Sequence, residues 1–276
     1  MSKLTITTIQ SNLVWENKAA NLLILEQKIK SIEKRTEIVV LPEMFSTGFS
    51  MNAQALAEDM NGETVNWMKR VAAENKIILT GSIIIKENDI FYNRLVWMLP
   101  NGEYGVYDKR HLFGFGKETE HYNAGTKRLI ASVKGWKINL QICYDLRFPV
   151  WARQAPSSSE RARPDASGAG SEVEYDVLIY VANWPERRSH AWKTLLCARA
   201  IENQCYVVGV NRVGDDGNNI YHSGNSMVID PLGQVLYHNA DEEDIFTLTL
   251  DKEMLDDVRN KFPFLKDGDT FSINNG

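Results

Sequence analysis

Short apolar runs that stop on a charged or reactive residue constrain this chain more than any other feature. Three are Ile38-Val39-Val40-Leu41-Pro42-Glu43, Tyr104-Gly105-Val106-Tyr107-Asp108-Lys109 and Lys137-Ile138-Asn139-Leu140-Gln141-Ile142-Cys143. Runs this short and this rich in branched side chains read as strands. Between them lie segments of helical periodicity. Glu16 to Arg35 carries Leu22, Leu23, Leu25, Ile29 and Ile32 at spacing that suits one helix face. Gly62 to Asn75 turns Val65, Met68 and Val71 inward, and Ser189 to Asn203 reads as a further helix. Other strands are predicted over Leu4 to Gln10, Ile77 to Ile85, Ile90 to Leu99, Leu129 to Val133, Val177 to Ala182, Tyr206 to Val210, Ile220 to Ile229, Gln234 to His238 and Phe246 to Leu250. Lys86 to Asp89, Asn101-Gly102 and Lys134-Gly135 mark hairpin turns. Strands alternating with helices, interrupted by hairpins, predict an α/β fold with mixed sheets.

No linker separates two self-sufficient halves, so residues 1–276 read as a single domain. One segment breaks the pattern. Gln154 to Glu174 is rich in Ala, Ser, Pro, Gly and Arg and almost free of large apolar side chains. It cannot bury enough surface to offset its ordering entropy, and is expected to be a low-complexity surface insert at about 154–174. It should leave from the far end of the helix expected after Cys143, away from the thiol.

A hydrophobic fraction of 43% supports a sizeable core, and a net charge of -5 argues against a nucleic-acid or anionic-membrane surface. No apolar stretch is long enough to span a bilayer, and the first residues read as a strand rather than a signal peptide, so a cytoplasmic location is expected. Three cysteines without close pairing argue against a disulfide framework and a structural zinc site. The histidines show no metal-ligand spacing, so no metal site is predicted.

Ligands of open α/β sheets bind beyond the carboxyl ends of strands. Glu43, Lys109, Cys143, Asn183-Trp184-Pro185 and Asn211-Arg212 all sit just past predicted strand ends. If those strands share a direction, the residues meet in one crevice. Their types suit acyl transfer. A cysteine at the start of a helix is favoured as thiolate. Glu43 can take a thiol proton and later activate water. Lys109 can stabilise an oxyanion together with a backbone N–H just after Cys143. Glu118, in the loop beyond Lys109, is a second carboxylate that can position the lysine.

Three ordered motifs carry a resemblance. They are Leu41-Pro42-Glu43-Met44-Phe45-Ser46-Thr47-Gly48-Phe49, Tyr107-Asp108-Lys109-Arg110-His111-Leu112-Phe113 and Ile142-Cys143-Tyr144-Asp145-Leu146-Arg147-Phe148-Pro149. Together they resemble the nitrilase superfamily of carbon–nitrogen hydrolases, over nearly the whole chain apart from the insert. His121-Tyr122-Asn123-Ala124-Gly125, Tyr180 to Pro185 and Ala198 to Gln204 are similar to the bacterial omega-amidase branch. The resemblance implies a four-layer α-β-β-α sandwich, no metal or organic cofactor, and a homodimer or higher homo-oligomer. It implies Glu43 as general base, Lys109 as oxyanion stabiliser, Cys143 as nucleophile and Glu118 as supporting glutamate, with Glu120 less favoured. Tyr144 would supply the backbone N–H, and Phe113, Asn183 and Trp184 would wall the pocket. The implied substrates are small-molecule monoamides of dicarboxylates, such as 2-oxoglutaramate and 2-oxosuccinamate.

Several residues also have plainer readings. Arg187 and Arg188 can meet a substrate carboxylate, or can be solvent-exposed at a helix start. Arg147 is expected to pair with Asp145 or to fix the local helix. His111 and His121 are expected to hydrogen-bond within the loop after Lys109, Cys197 and Cys205 to be inert, and the Lys261 to Leu265 tail to pack on the domain or on a second subunit. Two other functions stay open at this point. One is an amidase or N-carbamoyl hydrolase with a different acyl group. The other is a non-catalytic scaffold that binds partners through the insert.

Overall fold

A computed structural model of the chain describes residues 2–154, 173–269, 271 and 273. Its first part runs β1 (Lys3–Gln10), α1 (Lys18–Lys30), β2 (Ile38–Val40), α2 (Ala53–Leu56), α3 (Glu63–Asn75), β3 (Ile78–Glu87), β4 (Ile90–Met98) and β5 (Tyr104–Asp108). Then follow α4 (Glu118–His121), β6 (Leu129–Val133), β7 (Trp136–Ile142), α5 (Pro149–Ala152), β8 (Val177–Val181), α6 (Ser189–Asn203) and β9 (Tyr206–Val210). The last elements are β10 (Val213–Asp215), β11 (Tyr221–Ile229), β12 (Val235–Ala240), β13 (Asp244–Asp251) and α7 (Lys252–Lys261).

Two mixed sheets result. One has the order β13-β1-β2-β3-β4-β5, the other β10-β11-β9-β8-β7-β6 with β12 paired to β11. Alternation along each strand sorts side chains between layers. In β2, Val39 faces α1 and α3 and packs among Leu25, Met68 and Val71. Ile38 and Val40 belong instead to the cluster between the sheets, with Leu140, Ile179 and Val208 of the second sheet. Burying each such aliphatic side chain contributes about 1.5–3 kcal/mol. The second sheet is covered by α6 through Trp192, Leu196 and Ala200. A Cβ on Gly209 of β9 would lie 2.5 Å from Leu196, so only glycine lets that helix seat so closely. The layers are therefore helix, sheet, sheet, helix, the four-layer sandwich expected.

Strand direction positions the site. β1, β2 and β3 are parallel, and β5 regains that direction through the antiparallel β4. In the other sheet β7, β8 and β9 are parallel. The carboxyl ends of β2 and β5, and those of β7, β8 and β9, meet at one end of the sandwich, where Asn183 donates through its backbone N–H to Glu43 at 2.8 Å.

Three expectations need correction. The segment after Cys143 is not a helix of useful length. It is a 3-10 turn over Cys143–Arg147 followed by the single turn of α5. Pro149 is the cause: it disfavours helical geometry at the preceding residue, and Phe148 has φ -114 and ψ 87. Secondly, Gln154 is buried and docked on the end of α6, its backbone N–H donating to Asn203 at 3.0 Å. Glu174 is held by Arg128 at 3.0 and 3.1 Å. The two ends of the expected insert are thus anchored, and residues 155–172 between them lie outside the described residues. Finally, α2, α4, β10 and α7 had no counterpart in the sequence reading.

Candidate active site

Glu43, Lys109 and Glu118 form a buried cluster, each 0% exposed. Lys109 Nζ donates to Glu43 Oε1 at 2.8 Å and to both oxygens of Glu118, at 3.0 and 2.9 Å. Glu118 also accepts the Phe113 backbone N–H at 2.6 Å. Asn93, on β4, bridges the carboxylates: its Nδ2 donates to Glu43 Oε1 at 2.8 Å and to Glu118 Oε1 at 3.1 Å. The Asn93 carbonyl accepts the Lys109 backbone N–H at 3.0 Å, so one residue sets both chain and side chains. Burial works against the Lys109 ammonium, yet the charges of Glu118 and Glu43 outweigh it and hold its pKa above the usual lysine value. Glu118 is pushed up from the ordinary carboxylate value by burial, with Lys109 acting in the opposite direction. Removing one member of a buried, paired cluster costs about 3–5 kcal/mol, since the rest is left uncompensated.

Gly125 lets the Lys109 loop close. Its N–H donates to the Lys109 carbonyl at 2.9 Å, and a Cβ there would lie 2.1 Å from the Asp108 carbonyl oxygen. Tyr122, three residues earlier, donates from its hydroxyl to the Ser50 carbonyl at 2.5 Å.

Cys143 follows β7 directly and has φ 43. That left-handed backbone costs a residue other than glycine on the order of 1–3 kcal/mol and persists only where neighbours enforce it. Asp145 does so. Its carboxylate accepts the Ile142 N–H at 3.0 Å, the Tyr107 hydroxyl at 2.7 Å, and the His111 N–H and Nδ1 at 2.9 and 2.8 Å. Asp145 therefore joins the end of β7 to the loop carrying Lys109. The expectation of a thiolate held by a helix is overturned. With no helix there, burial pushes the Cys143 thiol well above its ordinary value, the Glu43 charge adds to this, and Lys109 only partly offsets it. The resting group is a neutral thiol, which needs a base.

The thiol opens into a cavity of about 480 Å³. Phe49, Phe113, Tyr144, Asn183 and Trp184 line it beside Lys109 and Cys143. Asn183 Nδ2 also donates to the Glu43 carbonyl. Asn211 holds the Trp184 backbone from both sides, at 2.8 and 2.9 Å. Arg187 and Arg188 reach the pocket, as does Arg147.

The ends of the strands thus bring together every residue singled out for the site: Glu43, Lys109, Cys143 and Glu118 in or against the cluster, and Phe113, Tyr144, Asn183, Trp184, Arg187 and Arg188 around the cavity. Glu120 is exposed and does not line the cavity. Arg147 departs from its expectation: it does not pair with Asp145, whose oxygens Tyr107 and His111 occupy, and its guanidinium lies 5.1 Å over the Trp184 ring. His111 bonds Asp145 rather than its own loop and stacks on Phe148 at 3.8 Å. Arg212 is not a pocket residue; it is buried against Asn12, Leu13 and Asp215. Asn93 was missed, since an amide inside a predicted strand carries no local signal. Among the described residues, no group of three or more His, Cys, Asp or Glu could hold a metal ion. No helix there is long and apolar enough to cross a membrane.

Comparison with known proteins agrees with this geometry. Residues 5–260 match the carbon-nitrogen hydrolase family. The omega-amidase YafV of Yersinia enterocolitica is 41% identical, with 99% of this chain and 100% of that protein aligned. The 2-oxoglutaramate amidase of Bacillus subtilis is 32% identical over 96% of this chain and 97% of that one. Among solved structures, XC1258 of Xanthomonas campestris, described as a CN-hydrolase superfamily protein with an arsenic adduct in its active site, superposes with a TM-score of 0.93. It is 42% identical, covering 99% of this chain and 100% of its own. A four-layer sandwich with Glu43, Lys109 and Cys143 at adjoining strand ends, matched along nearly its full length, belongs to the carbon–nitrogen hydrolase family.

Proposed function

We propose that the protein is an omega-amidase: it hydrolyses monoamides of dicarboxylates, 2-oxoglutaramate and 2-oxosuccinamate among them, to the diacid and ammonia. The observation that carries this reading is the buried Glu43–Lys109–Glu118 cluster beside a neutral thiol, at the floor of a pocket that arginines rim. The likeness to omega-amidase YafV and to 2-oxoglutaramate amidase supports the choice of acyl group.

The reaction follows from the donors and acceptors. Glu43 Oε1 is taken by Lys109 and Asn93, and among the described residues Oε2 accepts only the Asn183 N–H, so Oε2 keeps a lone pair for the thiol proton. Cys143 Sγ attacks the amide carbonyl carbon as its proton passes to that oxygen. Lys109 has three N–H groups. One serves Glu43 and one is shared between the Glu118 oxygens, which leaves the third for the developing oxyanion, with the Tyr144 backbone N–H as partner. The C–N bond breaks, and ammonia leaves with the proton from Glu43. A thioester remains on Cys143. Glu43 then takes a proton from water, the hydroxide adds to the thioester carbonyl, and Sγ leaves with the proton returned by Glu43. Glu118 keeps Lys109 charged and aimed. No step needs a metal or an organic cofactor.

The proposal treats the chain as one catalytic domain in a homodimer or larger homo-oligomer, in a cytoplasmic setting. The cluster of buried residues shared by the two sheets supports the single domain. Sedimentation velocity tests the self-association. Ammonia release from 2-oxoglutaramate, compared with glutamine, asparagine, deaminated glutathione and N-carbamoyl compounds, tests the substrate class. Turnover confined to an N-carbamoyl compound would move the protein to another amidase branch.

A further inference from the structure

The pocket contains an imbalance that the cluster chemistry does not use. Arg147, Arg187 and Arg188 converge on one rim. Among the described residues none of them has a carboxylate partner within salt-bridge distance, whereas Arg70, Arg94, Arg128, Arg199 and Arg259 each do. The other carboxylates of the pocket are engaged elsewhere. Glu16 accepts the Ser50 hydroxyl at 2.5 Å, and Asp216 accepts the backbone N–H groups of Asn218 and Ile220.

Two of these guanidiniums are held in place by rings. Arg188 lies 5.0 Å over Phe113, and Arg147 lies 5.1 Å over Trp184. Such a cation–π contact restrains a guanidinium while leaving N–H groups free for a ligand. Trp184 is itself fixed, its Nε1 donating to the Arg188 carbonyl at 2.8 Å. Phe113 packs on Tyr144 at 5.1 Å, next to the nucleophile. Arg187 is exposed and over no ring, whereas Arg188 is half-buried. Burial and the charges of Arg187 and Arg147 push Arg188 down from the ordinary arginine value, while Cys143 pulls it the other way. Arg188 is thus a crowded, partly desolvated cation within electrostatic reach of the thiol, and an arriving anion relieves it.

We infer that Arg188 on Phe113 and Arg147 on Trp184 form a two-guanidinium clamp for the remote carboxylate of the substrate, with Arg188 the stronger arm and Arg187 an outer charge that steers. This deepens the omega-amidase reading and rests on its acidic substrate. The ligand class is an amide carrying a planar oxyanion at the end opposite the scissile bond. The clamp also explains how aromatic walls and an anionic substrate coexist: rings hold the cations, and the cations hold the acid. An α-ammonium group would face like charge at the same rim, which disfavours amino-acid amides.

Kinetics on 2-oxoglutaramate and on uncharged pentanamide test the clamp. Arg188→Met should raise KM for 2-oxoglutaramate by roughly 10- to 100-fold, with the smaller change in kcat. The preference for 2-oxoglutaramate over pentanamide should fall by a similar factor. Arg147→Met, at a more exposed position, should give a smaller rise, and Arg187→Met the smallest. Glutarate should shield Cys143 from iodoacetamide in the wild type and fail to do so in Arg188→Met, a readout independent of turnover. Wild-type turnover of 2-oxoglutaramate with KM and shielding unmoved in Arg188→Met would overturn the clamp and leave the amidase standing. Absence of wild-type turnover with glutarate shielding intact would sink the substrate and keep the clamp.

Discussion

Asn93 offers the sharpest test of how the cluster works. Its side chain is fully buried and has two carboxylate partners, Glu43 and Glu118, at 2.8 and 3.1 Å. Asn93→Leu keeps the approximate volume and the backbone carbonyl that holds Lys109, and removes only the two donors. A hydrogen bond to a charged group is worth about 1.5–3 kcal/mol, so the ionised cluster loses stabilisation of that order at each carboxylate. Each 1.36 kcal/mol is one pKa unit, so the proton affinity of the cluster rises by about 1–2 units. The base must be ionised to accept the thiol proton. The acid limb of kcat/KM for 2-oxoglutaramate, followed between about pH 4 and 9, should therefore move up by about 1–2 units. Above the limb the rate should stay within about tenfold of wild type, because Lys109 and the Asn183 N–H still hold Glu43. Asn93→Asp places a third carboxylate among the two and should lose far more. A limb that stays in place while the rate falls equally at every pH would refute the reasoning and reduce Asn93 to packing.

Other perturbations follow from the same geometry. His222, on the pocket wall, is lowered from 6.5 to about 4 by burial and then by the Arg212 charge. The folded chain therefore binds that proton more weakly than the unfolded chain. The contribution is fully present above pH 6.5 and is lost as pH falls through about 4, a swing of about 3 kcal/mol. His222→Asn should flatten that part of a urea-melt pH profile, and an unchanged profile would remove His222 as its source. Gly125→Ala forces a Cβ against the Asp108 carbonyl at 2.1 Å. It should lower the melting temperature and disable turnover together, because the Lys109 loop must shift; an active, fully stable variant would contradict the close approach.

Much of this arrangement was legible along the chain, for physical reasons that also explain the gaps. Helix α6 and strand β9 start and stop where their apolar runs do, since the helix is buried against a sheet and the strand lies inside it. Glu43, Lys109 and Cys143 were legible because strand ends in a mixed sheet converge, and that depends on topology rather than on packing detail. Helix α7 was not, because only Leu255 and Val258 of it are buried, so little periodicity shows. Its start is set instead by Asp251, which accepts the Glu253 N–H at 3.0 Å. Arg147 was misread because Asp145 is its near neighbour in sequence, while the actual partners of Asp145 come from Tyr107 and His111 in another strand and loop. The thiolate expectation failed the same way. It rested on a local helix, whereas burial and a remote glutamate decide the state of Cys143. Non-local contacts of this kind leave no trace in residue spacing.

The central claim is that Cys143 carries the acyl group while Glu43 moves its proton. Rapid mixing with 2-oxoglutaramate, acid quench and mass analysis of the Cys143 peptide test it directly. The account predicts a covalent adduct on that peptide of the mass of the acyl group, one ammonia released per adduct, and neither adduct nor turnover in a folded Cys143→Ala protein. Full ammonia release by Cys143→Ala, or an adduct on Cys197 or Cys205 instead, would contradict it.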